Sequence, residues 1–473
     1  MIDSAHEPHD SHDPQGSHHL HGSPASRVIV VGAGLAGCEA AWQLARRGVA
    51  VLLYEMRPEH TSPAHTGGDF AELVCSNSLR SAELGNAVGL LKEEMRRSGS
   101  LVIEAADACA VPAGSALAVD RAAFSQYVTR AIAAHPAIEV RHARVAKIPD
   151  APHVILATGP LTDPDLAADL AARIGEASLY FYDAISPIVY ADSLDAGALF
   201  RASRWESDGE GDYLNVALGR AEYEAFVDAL LAADSVPLHP FEKALYFEGC
   251  LPIEEMARRG RETLAHGPLK PVGLVDPRTG RRPHAVLQLR HEDRRGMLYN
   301  LVGCQTKMRV RDQQRVFRAL PGLGGAVFAR YGSVHRNTYL NAPRQLTATL
   351  ELRGRAGLYV AGQMAGVEGY VESAALGGLA GRFAAAAVRG APVAPPPATT
   401  AHAALLRHLC EADPAHFQPM NVNWGLFPPL DAEPAAPQRG ADRRKASRRA
   451  LRNAALAARA LHDLASWPDA VPA

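Results

Sequence analysis

Long apolar runs are missing. Nowhere in the 473 residues does an uninterrupted hydrophobic stretch approach the ~20 residues that a membrane-crossing helix needs, so no membrane partner is expected. Charge of one sign is scarce too. Lysine and arginine total 49 against 51 aspartates and glutamates, so a nucleic-acid partner would have to be held by a local basic patch and not by the field of the whole protein. Cysteine is sparse, with six in a large chain that opens on no secretory pattern. A disulfide framework is therefore not expected, and the six read as reduced thiols in a cytoplasmic setting. Apolar residues are plentiful at 47%, and a chain of this length divides into two or three domains.

The densest signal lies between residues 28 and 55. Val28-Ile29-Val30-Val31 is an unbroken β-branched run, as in a parallel strand buried on both faces, and Gly32-Ala33-Gly34-Leu35-Ala36-Gly37 follows without a spacer. In a Rossmann-type unit the first glycine permits the tight turn, the second lets the backbone approach a pyrophosphate, and the third lets the helix lie close to the sheet. The helix N-terminus then faces the phosphates. The helix is expected to run to about Arg47, with Gly48 ending it and residues 49–54 forming the next strand. Glu55 stands about 20 residues past the glycines, where a carboxylate takes a ribose hydroxyl. With strand, turn, helix and acid in register, Gly32, Ala33, Gly34, Leu35, Ala36, Gly37 and Glu55 are the expected dinucleotide-binding residues.

Two more apolar runs stop at a glycine, Val154-Ile155-Leu156-Ala157-Thr158-Gly159 and Leu358-Tyr359-Val360-Ala361-Gly362. Their return to the fingerprint from distant parts of the chain predicts an α/β fold whose cofactor domain is discontinuous, residues 27–193 and 321–390, with an α+β domain inserted over 194–320. Residues 1–26, rich in His, Asp, Ser, Gly and Pro, read as a disordered tail. Their histidine spacing fits no fixed coordination geometry, so no metal site is expected. Residues 391–400 read as a Pro- and Ala-rich linker, and 401–473 as a helical C-terminal segment. Its closing helix, from about residue 442, carries Arg443, Arg444, Lys445, Arg448 and Arg449 at its start, suited to phosphates.

Two cysteines stand in polar company. Cys75 lies in Val74-Cys75-Ser76-Asn77-Ser78-Leu79-Arg80, which gathers a thiol, hydroxyls, a carboxamide and a guanidinium directly downstream of the fingerprint. A polar site on a loop and a buried core thiol are both open readings from chemistry alone. Cys250 precedes Pro252-Ile253-Glu254-Glu255, a helix start whose free amides lower a thiol pKa, while the adjacent glutamates act against that. Past it, arginines crowd between Arg281 and Arg318, either a solvated face or a phosphate-contacting surface.

The stretches GAGLAGCEAAWQLA, YEMRP, FAELVCSNSLRS, NAVGLLKEEMR, YFEGCLPIEEMARRG, GPLKPVGLVDPRTG, AGQMAGVEGYVESAA and FQPMNVNWGLFPPL resemble, as a set, those of the folate- and FAD-dependent tRNA (uracil-5-)-methyltransferases, the TrmFO family. The cysteine-bearing pair is similar to that family and not to its relative that modifies wobble uridine. The resemblance implies formation of 5-methyluridine at tRNA position 54 in the T-loop. Its one-carbon unit would come from 5,10-methylenetetrahydrofolate, and its electrons from NAD(P)H through FAD. It further implies that Cys75 and Cys250 are the two functional cysteines: a thiolate adding to C6 of uracil makes C5 nucleophilic enough to accept the one-carbon unit. Which thiol attacks is left open. Cys304 departs from the family pattern, standing where a bulky aromatic is expected, and Lys307-Met308-Arg309 differs from the family's histidine-containing run. A generic flavin oxidoreductase would explain the glycines but not the basic segment.

Overall fold

The computed structural model describes residues 27–62, 64–175, 179–205, 211–236, 251–432 and 448–467. The His-rich start, Cys250 and Arg443, Arg444 and Lys445 lie outside these residues. Two sheets organise the chain. The first has five strands in the order Leu358–Val360, Val154–Leu156, Arg27–Val31, Ala50–Glu55, Ile138–His142, every pair parallel. Ile29 sits between Leu52 and Val154, so the β-branched run occupies the middle of the sheet. Of the two strands that lead to a glycine, Val154–Leu156 pairs directly with the central strand and Leu358–Val360 pairs with Val154–Leu156 at the sheet edge, so both return to the sheet of the fingerprint.

Helix Leu35–Ala45 is enclosed almost completely, with every residue except Trp42 buried. It is pressed between the sheet and helix Tyr370–Val388, and the approach leaves no space for side chains: a Cβ on Gly377 would lie 2.1 Å from the carbonyl oxygen of Ala36. Two polar side chains on this helix are satisfied internally. Gln43 donates to Glu39 Oε1 at 2.9 Å, and Glu39 Oε2 accepts from Ser100 Oγ and the Val102 amide. Burial nevertheless pushes the Glu39 carboxyl up.

The second sheet is antiparallel, with six strands ordered Phe200–Arg201, Tyr213–Leu218, Ala285–His291, Leu298–Leu301, Ile188–Tyr190, Phe328–Arg330. Alternating residues Val216 and Leu218, and Leu287 and Leu289, form one apolar face. Helices Arg220–Leu231, Ile253–Arg258 and Val310–Arg318 cover that face through Phe226, Ile253 and Phe317. The sheet draws strands from residues 188 to 330: the segment read as an insert supplies the four strands on one side, and Ile188–Tyr190 and Phe328–Arg330, outside it, supply the two on the other. A two-stranded antiparallel ribbon, Leu179–Ala184 with Val334–Tyr339, flanks the sheet on either side in the chain. An interrupted Rossmann-type α/β domain carrying a second unit is thus the architecture.

The C-terminal segment closes on the first unit. Glu94 accepts the Ala401 and His402 amides, which holds the start of helix Ala401–Glu411 against helix Ala87–Arg97. Helix Arg448–Leu464 buries Leu456, Ala457, Ala460 and Leu464, and Asn453 donates to the Gly85 carbonyl. Arg448 and Arg449, at the opposite end from Leu464, remain exposed. No helix among the described residues is long and apolar enough to cross a membrane.

Candidate functional site

The parallel strands end at a cleft whose free space is about 160 Å³. Gly32, Gly34, Leu35 and Ala36 line one wall, Glu55 and Arg57 another, and Thr158, Gly362, Gln363, Tyr370 and Ser373 face them. Parallel strands present this crevice at their carboxyl ends, where ligands of open α/β sheets bind. The glycines differ in their surroundings. A Cβ on Gly34 would meet no protein atom within 4 Å, whereas one on Gly37 would lie 1.7 Å from the Gly32 carbonyl oxygen. Gly34 therefore keeps open a cradle for a ligand, and Gly37 is needed for the turn to close. Ala33 and Gly37 lie behind the cleft wall, outside its lining.

Glu55 is 5% exposed and fully engaged. Its Oε2 accepts from the Ala33 amide at 3.0 Å and Arg57 Nη2 at 3.1 Å, and its Oε1 accepts from Arg57 N and Nε. Burial alone would raise this carboxyl, but the hydrogen bonds and charge of Arg57 outweigh it and hold the group below the usual carboxylate range. Arg57 bonds Glu72 as well. Sequence reasoning gave Arg57 no role; it lies in the turn just past the strand that ends at Glu55.

Cys75 stands at the edge of this cleft, beside Val74 and against Tyr370. Tyr370 Oη accepts the Cys75 amide at 2.7 Å and the Ser76 amide at 3.2 Å, and lies 2.8 Å from Cys75 Sγ. Two amides fill the acceptor capacity of the phenol oxygen, which leaves its own proton to donate to the sulfur. The thiol is nonetheless pushed up to about 12, first by burial and then by the Asp183 carboxylate, against the lowering effects of the Tyr370 hydrogen bond and Arg121. Of the two readings of Cys75, a polar loop thiol and a core thiol, the geometry combines parts of both. It is partly buried, yet its sulfur faces a hydroxyl on the cleft wall. Tyr370 stands in the sequence only inside a long motif, with nothing local to mark its function.

The other described cysteines are elsewhere. Cys38 donates to the Ala33 carbonyl, Cys304 is wholly buried among the apolar residues under the second sheet, and Cys109 and Cys410 pack at the margins of the first core. The arginine-rich segment is divided by the fold. Arg290 is buried, Arg311 and Arg315 pair with acids, and Arg318 donates to the Ala326 carbonyl. Arg281, Arg282, Arg295 and Arg309 are exposed.

Comparison with known proteins agrees with this geometry. The family described as glucose inhibited division protein A matches residues 27–392. A protein of Geobacter sulfurreducens named methylenetetrahydrofolate--tRNA-(uracil-5-)-methyltransferase TrmFO is 57% identical over 93% of this chain and 98% of its own. A protein of the same name from Desulforudis audaxviator is 56% identical over 93% and 98%. Among solved structures, Aquifex aeolicus GidA superposes with a TM-score of 0.62 at 17% identity, covering 81% of this chain and 69% of its own, a likeness of fold. With relatives this similar over nearly their whole length, the chain belongs to the methylenetetrahydrofolate--tRNA-(uracil-5-)-methyltransferase TrmFO family.

Proposed function

We infer that this protein is a folate- and FAD-dependent tRNA methyltransferase that forms 5-methyluridine, with position 54 of the T-loop as its target. A cytoplasmic location goes with that substrate. One observation carries the reading: a thiol hydrogen-bonded to a phenol at the rim of a cleft lined by the glycine fingerprint, in a chain over half identical to relatives named for this reaction. The residues fit FAD. The amides around Gly34 border open space where a pyrophosphate fits, and Glu55 and Arg57 stand where an adenosine ribose is expected. When bound, FAD supplies the hydride that completes the methyl group, drawn from NAD(P)H, while 5,10-methylenetetrahydrofolate supplies the carbon.

The chain's own part is thiol chemistry and positioning. C5 of uracil is a poor nucleophile until a thiolate adds at C6, and Cys75 and Cys250 are the two thiols proposed to serve the addition and the later removal of the C5 proton. At Cys75 the Tyr370 hydroxyl stabilises the thiolate by donating to it, and the Arg121 charge acts in the same direction. The target base must leave its stack before either sulfur can reach it. The exposed Arg281, Arg282, Arg295, Arg448 and Arg449 are proposed to take RNA phosphates. The test is to assay tRNA for 5-methyluridine with labelled serine, which feeds the folate pool, against labelled methionine. Label arriving only from methionine would overturn the reading.

A further inference from the structure

Arg290 lies in the second sheet, at the end of strand Ala285–His291, yet both its hydrogen bonds cross to the loop that carries Cys75. Its Nε donates to Asn77 Oδ1 at 3.0 Å and its Nη2 to Ser76 Oγ at 2.9 Å. Arg290 is 7% exposed and Asn77 is fully buried. Among the described residues neither donor reaches a carboxylate; the adjacent Glu292 is taken by Arg121 at 2.6 Å. A charge kept in such a place is costly, and an apolar side chain of the same size would fill the space without that cost. What an apolar residue would not supply is a rigid planar fork that fixes two acceptors at once.

The two residues that follow Arg290 act on the same segment. The His291 carbonyl accepts from Asn77 Nδ2 at 2.7 Å, and Glu292 holds Arg121, which donates to the Leu73 carbonyl at 2.6 Å. Arg290 and His291 directly, and Glu292 through Arg121, thus hold residues 73–77 on both sides of Cys75. We propose that Arg290 is a positioning residue for Cys75: by clamping Ser76 and Asn77 it holds the thiol against the Tyr370 hydroxyl at the cleft and ties that placement to the seating of the second unit. The proposal rests on the reading of Cys75 as a functional thiol. The charged and titratable groups around that sulfur are Asp183, Glu368, Tyr370, Arg121, Arg290 and Arg330, so the clamp also orders a thiol among competing charges.

The test uses the flavin-loaded enzyme with Arg290→Met and Arg290→Lys. In Arg290→Met, kcat for methyl transfer is expected to fall at least 100-fold, with flavin content and the KM for tRNA within threefold of wild type. Arg290→Lys, which keeps the charge and a single donor nitrogen but not the planar fork, should recover at least tenfold of the loss. Iodoacetamide labelling followed by peptide mapping is the second readout. Released from the clamp, Cys75 should be alkylated at least fivefold faster while buried Cys38 and Cys304 stay protected. Faster labelling at all three would mean general loosening and would overturn the proposal, as would an unchanged Cys75 rate or an unchanged kcat. Should Arg290→Met fail to fold, Ser76→Ala and Arg290→Lys carry the same two readouts. Cys75→Ala distinguishes the underlying reading: full activity there removes the role of the thiol, while the labelling result still reports whether Arg290 holds the loop.

Discussion

Gly34→Val against Gly37→Ala separates a glycine kept for a ligand from one kept for the fold. Gly34 has φ −74° and ψ −173°, a backbone that any residue adopts, and its Cβ would meet nothing within 4 Å. Apoprotein stability should therefore hold or rise, since leaving glycine contributes about 0.4–1 kcal/mol through the unfolded chain. Flavin is another matter. A side chain occupying the pyrophosphate's place should weaken binding at least 10³-fold, about 4 kcal/mol. At Gly37 the added carbon would sit 1.7 Å from a backbone oxygen that has no flexible end to swing away. Overpacking ordinarily costs ~1–3 kcal/mol, and this contact belongs at or beyond the top of that range. Thermal melts of flavin-stripped protein, paired with flavin titration, give both numbers. They must be done on apoprotein, because bound flavin at 100 times its Kd by itself adds about 2.7 kcal/mol. Stoichiometric flavin in Gly34→Val, or an apo melt as low as that of Gly37→Ala, would refute the assignment.

Arg57→Met should strip Glu55 of its partner and leave a buried carboxylate uncompensated, a loss of about 3–5 kcal/mol seen in chemical denaturation. The direction of the Glu55 shift adds a pH signature. Its folded pKa lies below the unfolded one, so its stabilising contribution is present above the ordinary carboxylate pKa and is lost as pH falls through the folded value; Glu55→Gln should flatten that acid limb. Cys75→Ala should retain flavin and tRNA binding while methyl transfer falls by a factor of about 10³ or more, read by single-turnover assay. An adduct with tRNA carrying 5-fluorouridine that survives in the Cys75→Ala, Cys250→Ala double variant would sink the thiol mechanism. Neutralising Arg448 and Arg449 should reduce the salt slope of tRNA binding by roughly 0.7–0.9 for each phosphate that no longer meets an arginine, measured by titration across salt concentrations. Cys304→Ser should cost about 1–3 kcal/mol of stability through its unpaired hydroxyl and leave methylation rates per folded enzyme unchanged.

Local chemistry determined much of this protein by itself. Val28 to Glu55 specifies strand, turn, helix and strand through the β-branched run, the glycine spacing and Gly48, and all of these operate within a few residues of each other. The strands Val154–Leu156 and Leu358–Val360 on one side of that unit were legible as well, because a buried parallel strand is apolar along its length, whereas Ile138–His142 on the other side, an edge strand with polar residues, was not. Tertiary structure alone decided the rest. Tyr370 comes 295 residues after Cys75, and Arg290 comes 213 residues after Asn77. No spacing in a sequence encodes such pairings, since they arise only when two sheets and the ribbon between them are seated together. The arginine-rich segment makes the same point from the other side. Composition presents Arg290 and Arg295 as alike, but strand Ala285–His291 carries the first into the interior, while the second follows it into the turn and stays in water. Burial, which turns a solvated charge into a clamp, is a property of the packed fold.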